Sequence, residues 1–172
     1  MTFTLMGCGE ASFAPASMAR LAQANIRFNH ISIVATDMVK NAYSDDVSPE
    51  DMTTQLRRAI TSKLSELQGD RVYNIGIKVT GYMLANPAVP TVSSPKSVLM
   101  LSVSVWNDSP DNKLMLPPST VIAVDGLYGS ALSIAKSQGS KDQRLAALTV
   151  RAGVEIAQYL ARNAQSLEAS TP

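Results

Sequence analysis

The 172 residues predict an α+β domain, with two helices packed on one face of a mostly antiparallel sheet of about four strands, in the order β-α-β-β-β-α. Three observations carry this expectation. Two stretches alternate apolar and polar residues with a period of two. Two others carry apolar residues at helical spacing behind a capping serine. Segments of turn formers separate these elements.

The first strand is expected over residues 29–36, where Ile31, Ile33 and Ala35 alternate with their neighbours. Ser48-Pro49-Glu50-Asp51 then reads as a helix start, with a serine N-cap, a proline in the first turn and acids at the positive end of the dipole. Met52, Leu56, Ile60, Leu64 and Leu67 form the stripe of that helix, Arg57 and Arg58 fall on its solvated side, and Gly69 stops it. Tyr73, Ile75, Ile77, Val79 and Gly81 share one face of the next strand. Leu99, Leu101, Val103 and Val105 share one face of the strand after it. Residues 86–96 and 107–112 are loops rich in proline, asparagine and aspartate. Pro117-Pro118 precedes an expected strand over residues 120–124, Gly126 and Gly129 break the pattern, and residues 130–136 are expected to form a short helical turn. Ser140 caps a long helix to about Asn163, striped by Leu145, Leu148, Ala152, Ile156 and Tyr159, where small residues at Ala152, Gly153 and Ala157 permit close approach of a neighbour.

Composition excludes several classes. A net charge of +1 with no basic run is not the electrostatic footprint of a nucleic-acid binder. One cysteine and one histidine, far apart, neither staple the chain nor make a zinc site. No apolar run reaches the roughly 20 residues of a membrane-spanning helix. His30 is the only histidine, and no G-x-S-x-G elbow accompanies it, so a nucleophile-and-base pair has no evident members. No glycine-rich phosphate loop or calcium-loop spacing occurs; the acidic groups at Asp45-Asp46 and at Asp108 with Asp111 read as turn and loop residues. No catalytic residue, metal or cofactor is expected.

The amino terminus is more informative. Residues 1–8 are apolar and uncharged and end in Leu5-Met6-Gly7-Cys8. That ending resembles the lipobox of bacterial lipoproteins. The resemblance implies a diacylglyceryl group on the Cys8 thiol, cleavage before it and acylation of the new amine; Gly9, in place of an aspartate, implies the outer membrane, facing the periplasm. Only seven residues precede Cys8 and the first basic residue is Arg20, short of the positive region and apolar stretch that a secretory signal needs. Two readings stay open: Met1 sits inside a longer apolar region, or Met1 is the start and Cys8 is an ordinary thiol of a soluble cytoplasmic interaction domain.

These readings divide the chain into a signal remnant at 1–8, a tether at 9–27, one domain at 28–165 and a loose tail at 166–172. A short helix over residues 17–25, packed on the domain, is the alternative to the tether. The body also resembles small bacterial envelope lipoproteins in its order of elements, in Leu56-Arg-Arg-Ala-Ile60 and in Gly69-Asp-Arg-Val-Tyr73 leading into a strand; at fold level it is similar to the β-α-β-β-β modules of periplasmic assembly proteins. The resemblance implies a lipid-anchored cell-envelope protein that acts as a non-catalytic binding or assembly module, with a membrane as its partner and a protein as a further candidate partner. Tyr82 and Trp106 are the candidate binding residues, as an aromatic patch on the outer sheet face; ordinary cross-strand packing is the alternative. A small hydrolase using carboxylates near Asp125 is the third reading.

Overall fold

The order of backbone pairing sets the architecture. In the computed structural model, which describes residues 13–86, 96–125 and 139–169, the strands are β1 (Ile26–Val34), β2 (Val39–Lys40), β3 (Arg71–Met83), β4 (Val98–Asn107) and β5 (Leu114–Val124). The helices are α1 (Phe13–Gln23), α2 (Pro49–Leu64), α3 (Lys141–Arg162) and α4 (Ala164–Ala169). The sheet runs β1-β3-β4-β5, and β2 lies on the β1 side of β3 farther along. β1 and β2 pair with β3 in parallel, while β3, β4 and β5 are antiparallel. The described residues thus form a mixed α/β fold with four helices, where two were expected.

Local chemistry starts both long helices. The Ser48 hydroxyl accepts from the Asp51 N–H at 3.0 Å, with Pro49 in the first turn. Ser140 and Gln143 form a reciprocal capping box at the head of α3. α2 and α3 cross closely, because a Cβ at Gly153 would come within 3.2 Å of the Ala59 carbonyl oxygen. α2 also covers β1, α3 covers β4 and β5, and α1 lies against α3. Beneath them one apolar core gathers Ile75 and Ile77 of β3, Leu101 and Val103 of β4, and Leu148 and Ile156 of α3. Truncating one such side chain to alanine costs about 2–5 kcal/mol.

At the amino end the structure shows the packed helix and not the tether, and at the carboxyl end the tail departs from expectation. Residues 13–23 form a helix, and Leu21, Ala24 and Ile26 are buried, so the described part of residues 9–27 is packed body and not free tether. The tail is likewise ordered as far as Ala169. Leu167 is buried, and its carbonyl accepts a 2.9 Å hydrogen bond from the Tyr73 hydroxyl. A polar tail sequence hides this contact, because a single leucine meeting a distant tyrosine leaves no periodicity.

Gly69 does not stop α2, which ends at Leu64 with Ser65 as its cap. A Cβ at Gly69 would lie 2.1 Å from the backbone carbon of Asn25, so only glycine lets the α2–β3 turn touch the α1–β1 turn. Asn25 itself takes a positive φ of 55° and exchanges hydrogen bonds with Asp70. Cys8, the loop at 87–95, and the turn and helical turn within 126–138 lie outside the described residues.

Candidate functional site

Three strands contain an inserted residue, and these insertions decide which side chains face outward. In β3, Val79 pairs with Leu101 but Gly81 pairs with Met100, so Thr80 is extra. The period-two pattern before Thr80 places odd-numbered residues in the core; after it, Tyr82 and Leu84 take that side. Tyr82 is therefore buried, and its hydroxyl accepts from the Val47 N–H at 3.1 Å. The expected outer-face patch of Tyr82 with Trp106 is corrected: a bulge turns Tyr82 inward. Continuing the alternation past Gly81 misplaces it, since a one-residue slip moves every later side chain to the other face.

Trp106 does lie on the outer face, half-buried. Its indole N–H donates to the Ser104 hydroxyl at 3.3 Å, and a Cβ at Gly76 would approach the indole nitrogen to 3.9 Å. The indole thus covers a glycine on the neighbouring strand. Farther along the same face, Met100 and Ile122 are register partners and 42% and 50% exposed.

In β1 the extra residue is Asn29, between the pairs Phe28–Tyr73 and His30–Asn74. Its displaced neighbour is held by side chains: the His30 N–H donates to Asn74 Oδ1 at 3.2 Å, while the Asn74 and Asn29 amides each donate to the Asp108 carboxylate at 3.0 Å. His30 is exposed and Asp108 serves as an acceptor, so the turn reading of Asp108 gains a purpose: its carboxylate ties the β4–β5 loop to the β1 bulge.

Along the outer side of β1 runs an open groove, with α2 as its other wall. One part lies between residues 28–32 and Arg57, Thr61, Leu64 and Ser65, with a volume of about 560 Å³. The second continues along residues 33–36 against Pro49, Glu50, Thr53 and Thr54, with about 350 Å³. At the first part, Arg57 Nη1 donates to the Ile31 carbonyl at 2.7 Å. The sequence presents Arg57 as a solvated helix residue. That an edge strand lies beside it is a tertiary fact, which no local pattern signals.

Elsewhere the charged groups are structural. Buried Arg144 of α3 pairs with Asp45 and donates to the Gly139 carbonyl at 2.6 Å, joining the head of α3 to the loop before α2. Lys40 and Asp46 form an exposed pair at 2.5 Å. Its hydrogen bond and attraction raise Lys40 above the ordinary lysine value and hold Asp46 below the ordinary carboxylate value. Asp125 takes up the Ser97 carbonyl through its backbone N–H at 2.9 Å. Among the described residues, no three of histidine, cysteine, aspartate and glutamate gather to hold a metal, and no helix is long and apolar enough to cross a membrane.

No family model and no curated protein matches the chain. Solved structures do. The hypothetical protein CT253 from Chlamydia trachomatis is 10% identical, with a TM-score of 0.43 over 84% of this chain and 98% of that one. Protein XCC0632 from Xanthomonas campestris is 13% identical, with a TM-score of 0.43 over 81% of this chain and 88% of that one. A minor lipoprotein from Acinetobacter baumannii is 16% identical, with a TM-score of 0.34 over 78% of this chain and 93% of that one. At such identities and TM-scores, nothing about function passes from those chains to this one.

Proposed function

We propose that this chain is a cell-envelope protein held to a bilayer by lipid on Cys8, with a folded body that acts by contact as a binding or assembly module. The observation that supports this is the Leu5-Met6-Gly7-Cys8 ending of an apolar, uncharged segment. One acyl chain holds a protein only marginally; the diacylglyceryl group and acylated amine of the lipobox pattern supply three, enough for stable anchoring. Four residues, 9–12, separate Cys8 from α1. Fully extended, that stretch spans at most about 18 Å, so the body would work close to the membrane surface. Gly9 after the cysteine favours the outer membrane, facing the periplasm.

The test expresses the gene with its own upstream codons in a bacterial host. The wild-type chain is expected in the membrane fraction with a lipid-modified Cys8 as its first residue, and the Cys8→Ala chain is expected to lose that lipid. A mature chain that keeps Met1 and a free thiol in the soluble fraction would overturn the proposal in favour of a cytoplasmic interaction domain.

A further inference from the structure

We infer that the groove between β1 and α2 binds an acidic, extended peptide segment of a partner protein, which adds to the sheet beside β1. This rests on the reading of the body as a contact module, and not on the anchor.

Among the described residues, β1 is an edge strand for the whole of its pairing with β3. Successive residues of a strand aim their N–H and C=O groups to opposite sides. The Ile31 carbonyl turned to Arg57 therefore marks Ile31 and Ile33 as the residues whose backbone groups face the groove, while the His30 N–H points toward β3 and Asn74. The two parts of the groove follow β1 from Phe28 to its end at Val34 and run on to Thr36. At about 3.3 Å per residue this accommodates a segment of roughly eight residues. An edge strand walled by a helix suits strand addition: main-chain hydrogen bonds supply affinity, and alternate side chains dropping into the groove supply selectivity.

Charge chooses the occupant. The larger part of the groove is lined by one guanidinium, Arg57, and one imidazole, His30, without a carboxylate, whereas the smaller part carries Glu50, so the acid of the segment belongs at the Arg57 end. Arg57 has no ion-pair partner among the described residues; it rests on a neutral carbonyl of the strand edge. A carboxylate offers a guanidinium a stronger, charge-assisted contact. An incoming acidic side chain draws Arg57 off Ile31 and frees that carbonyl for the ladder. Arg57 is thus a latch, closing the edge to nonspecific pairing and opening it to an acidic strand. Phe28, partly buried, offers apolar contact to the residues that alternate with the acid.

The experiment uses the full-length chain and a capped peptide of alternating valine and glutamate, with its valine–lysine counterpart as control. Amide exchange is followed residue by residue. Saturating acidic peptide is expected to slow exchange at Ile31 and Ile33 at least tenfold. The lysine peptide is expected to do so in the Arg57→Glu chain only, and the glutamate peptide to lose its effect there. Equal protection by both peptides, or protection confined to the outer face around Met100 and Ile122, would overturn the inference. So would protection already present without peptide: independent of concentration, it would mean the chain's own segment fills the groove; rising with concentration, a second copy. The same measurement on the Cys8→Ala chain is expected to give the same protection, so a failed anchor and a failed groove read differently.

Discussion

The two edges of the sheet meet the same hazard in opposite ways. Each could pair with a foreign strand, since an edge carries unpaired N–H and C=O groups. β5 is blunted: Pro117 and Pro118 are exposed within it, and its register slips against β4, from Val103–Ser119 to Val105–Leu116. Proline has no N–H to offer, and the bulge bends the strand. β1 contains no proline, and among the described residues its outer side is guarded by a hydrogen bond from Arg57. A covalent block is permanent, whereas a side-chain latch yields to a better partner. The lesson is that β5 is closed by its own backbone, and β1 is closed conditionally by a residue of another element.

The largest expected effect lies at the root of the β1 edge. Gly69→Ala would press a Cβ into the Asn25 backbone, where no side chain can swing aside. Overpacking of this kind is expected to cost about 3 kcal/mol or more, read as a lowered midpoint of denaturant unfolding. An unchanged midpoint would mean that β1 does not depend on this contact.

Next comes the clamp on the β1 bulge. Asn74→Ala removes the acceptor for the His30 N–H and a donor to Asp108. The expected loss is about 1 kcal/mol, with faster amide exchange at His30. If exchange there is unaltered, the bulge is held by the ladder alone and not by Asn74.

A smaller change in stability, with a distinct readout, is expected at the other edge. Replacing Pro117 and Pro118 together by threonine and valine restores strand formers and missing donors. Stability should move by less than about 1 kcal/mol, but light scattering should report self-association. A double variant that stays monomeric would show that the bulge, and not the missing N–H groups, closes β5.

The least effect is expected at Lys40, on the short strand that extends the β1 side of the sheet. Lys40→Met removes the partner that depresses Asp46, so the carboxyl should titrate closer to its ordinary value by NMR. The signs follow from the two shifts. The lowered Asp46 contributes above its unfolded value of 3.8, and that contribution is lost as pH falls through the folded value. The raised Lys40 contributes below 10.5 and is lost as pH rises through its folded value. At neutral pH both contributions are present but small, because both groups are solvated and screened, so removing Lys40 should move the unfolding midpoint very little. Unaltered titration of Asp46 would show the pair to be transient in solution.

Element existence and type were written locally. The stripes of α2 and α3, the serines at 48 and 140, and the alternation in β3 and β4 each express a preference confined to a few neighbouring residues, and each reappears in the fold. The contact that orders the tail through Tyr73 and Leu167, the reason for Gly69, the inward turn of Tyr82 and the edge position of β1 could not be read that way. They arise where distant segments meet: an insertion is visible only against its partner strand, and a strand is an edge only when no other described strand pairs beyond it. Side-chain periodicity encodes which residues prefer a buried face. Register and neighbour order, which depend on the energy of the whole assembled sheet, decide which face and which edge they finally occupy.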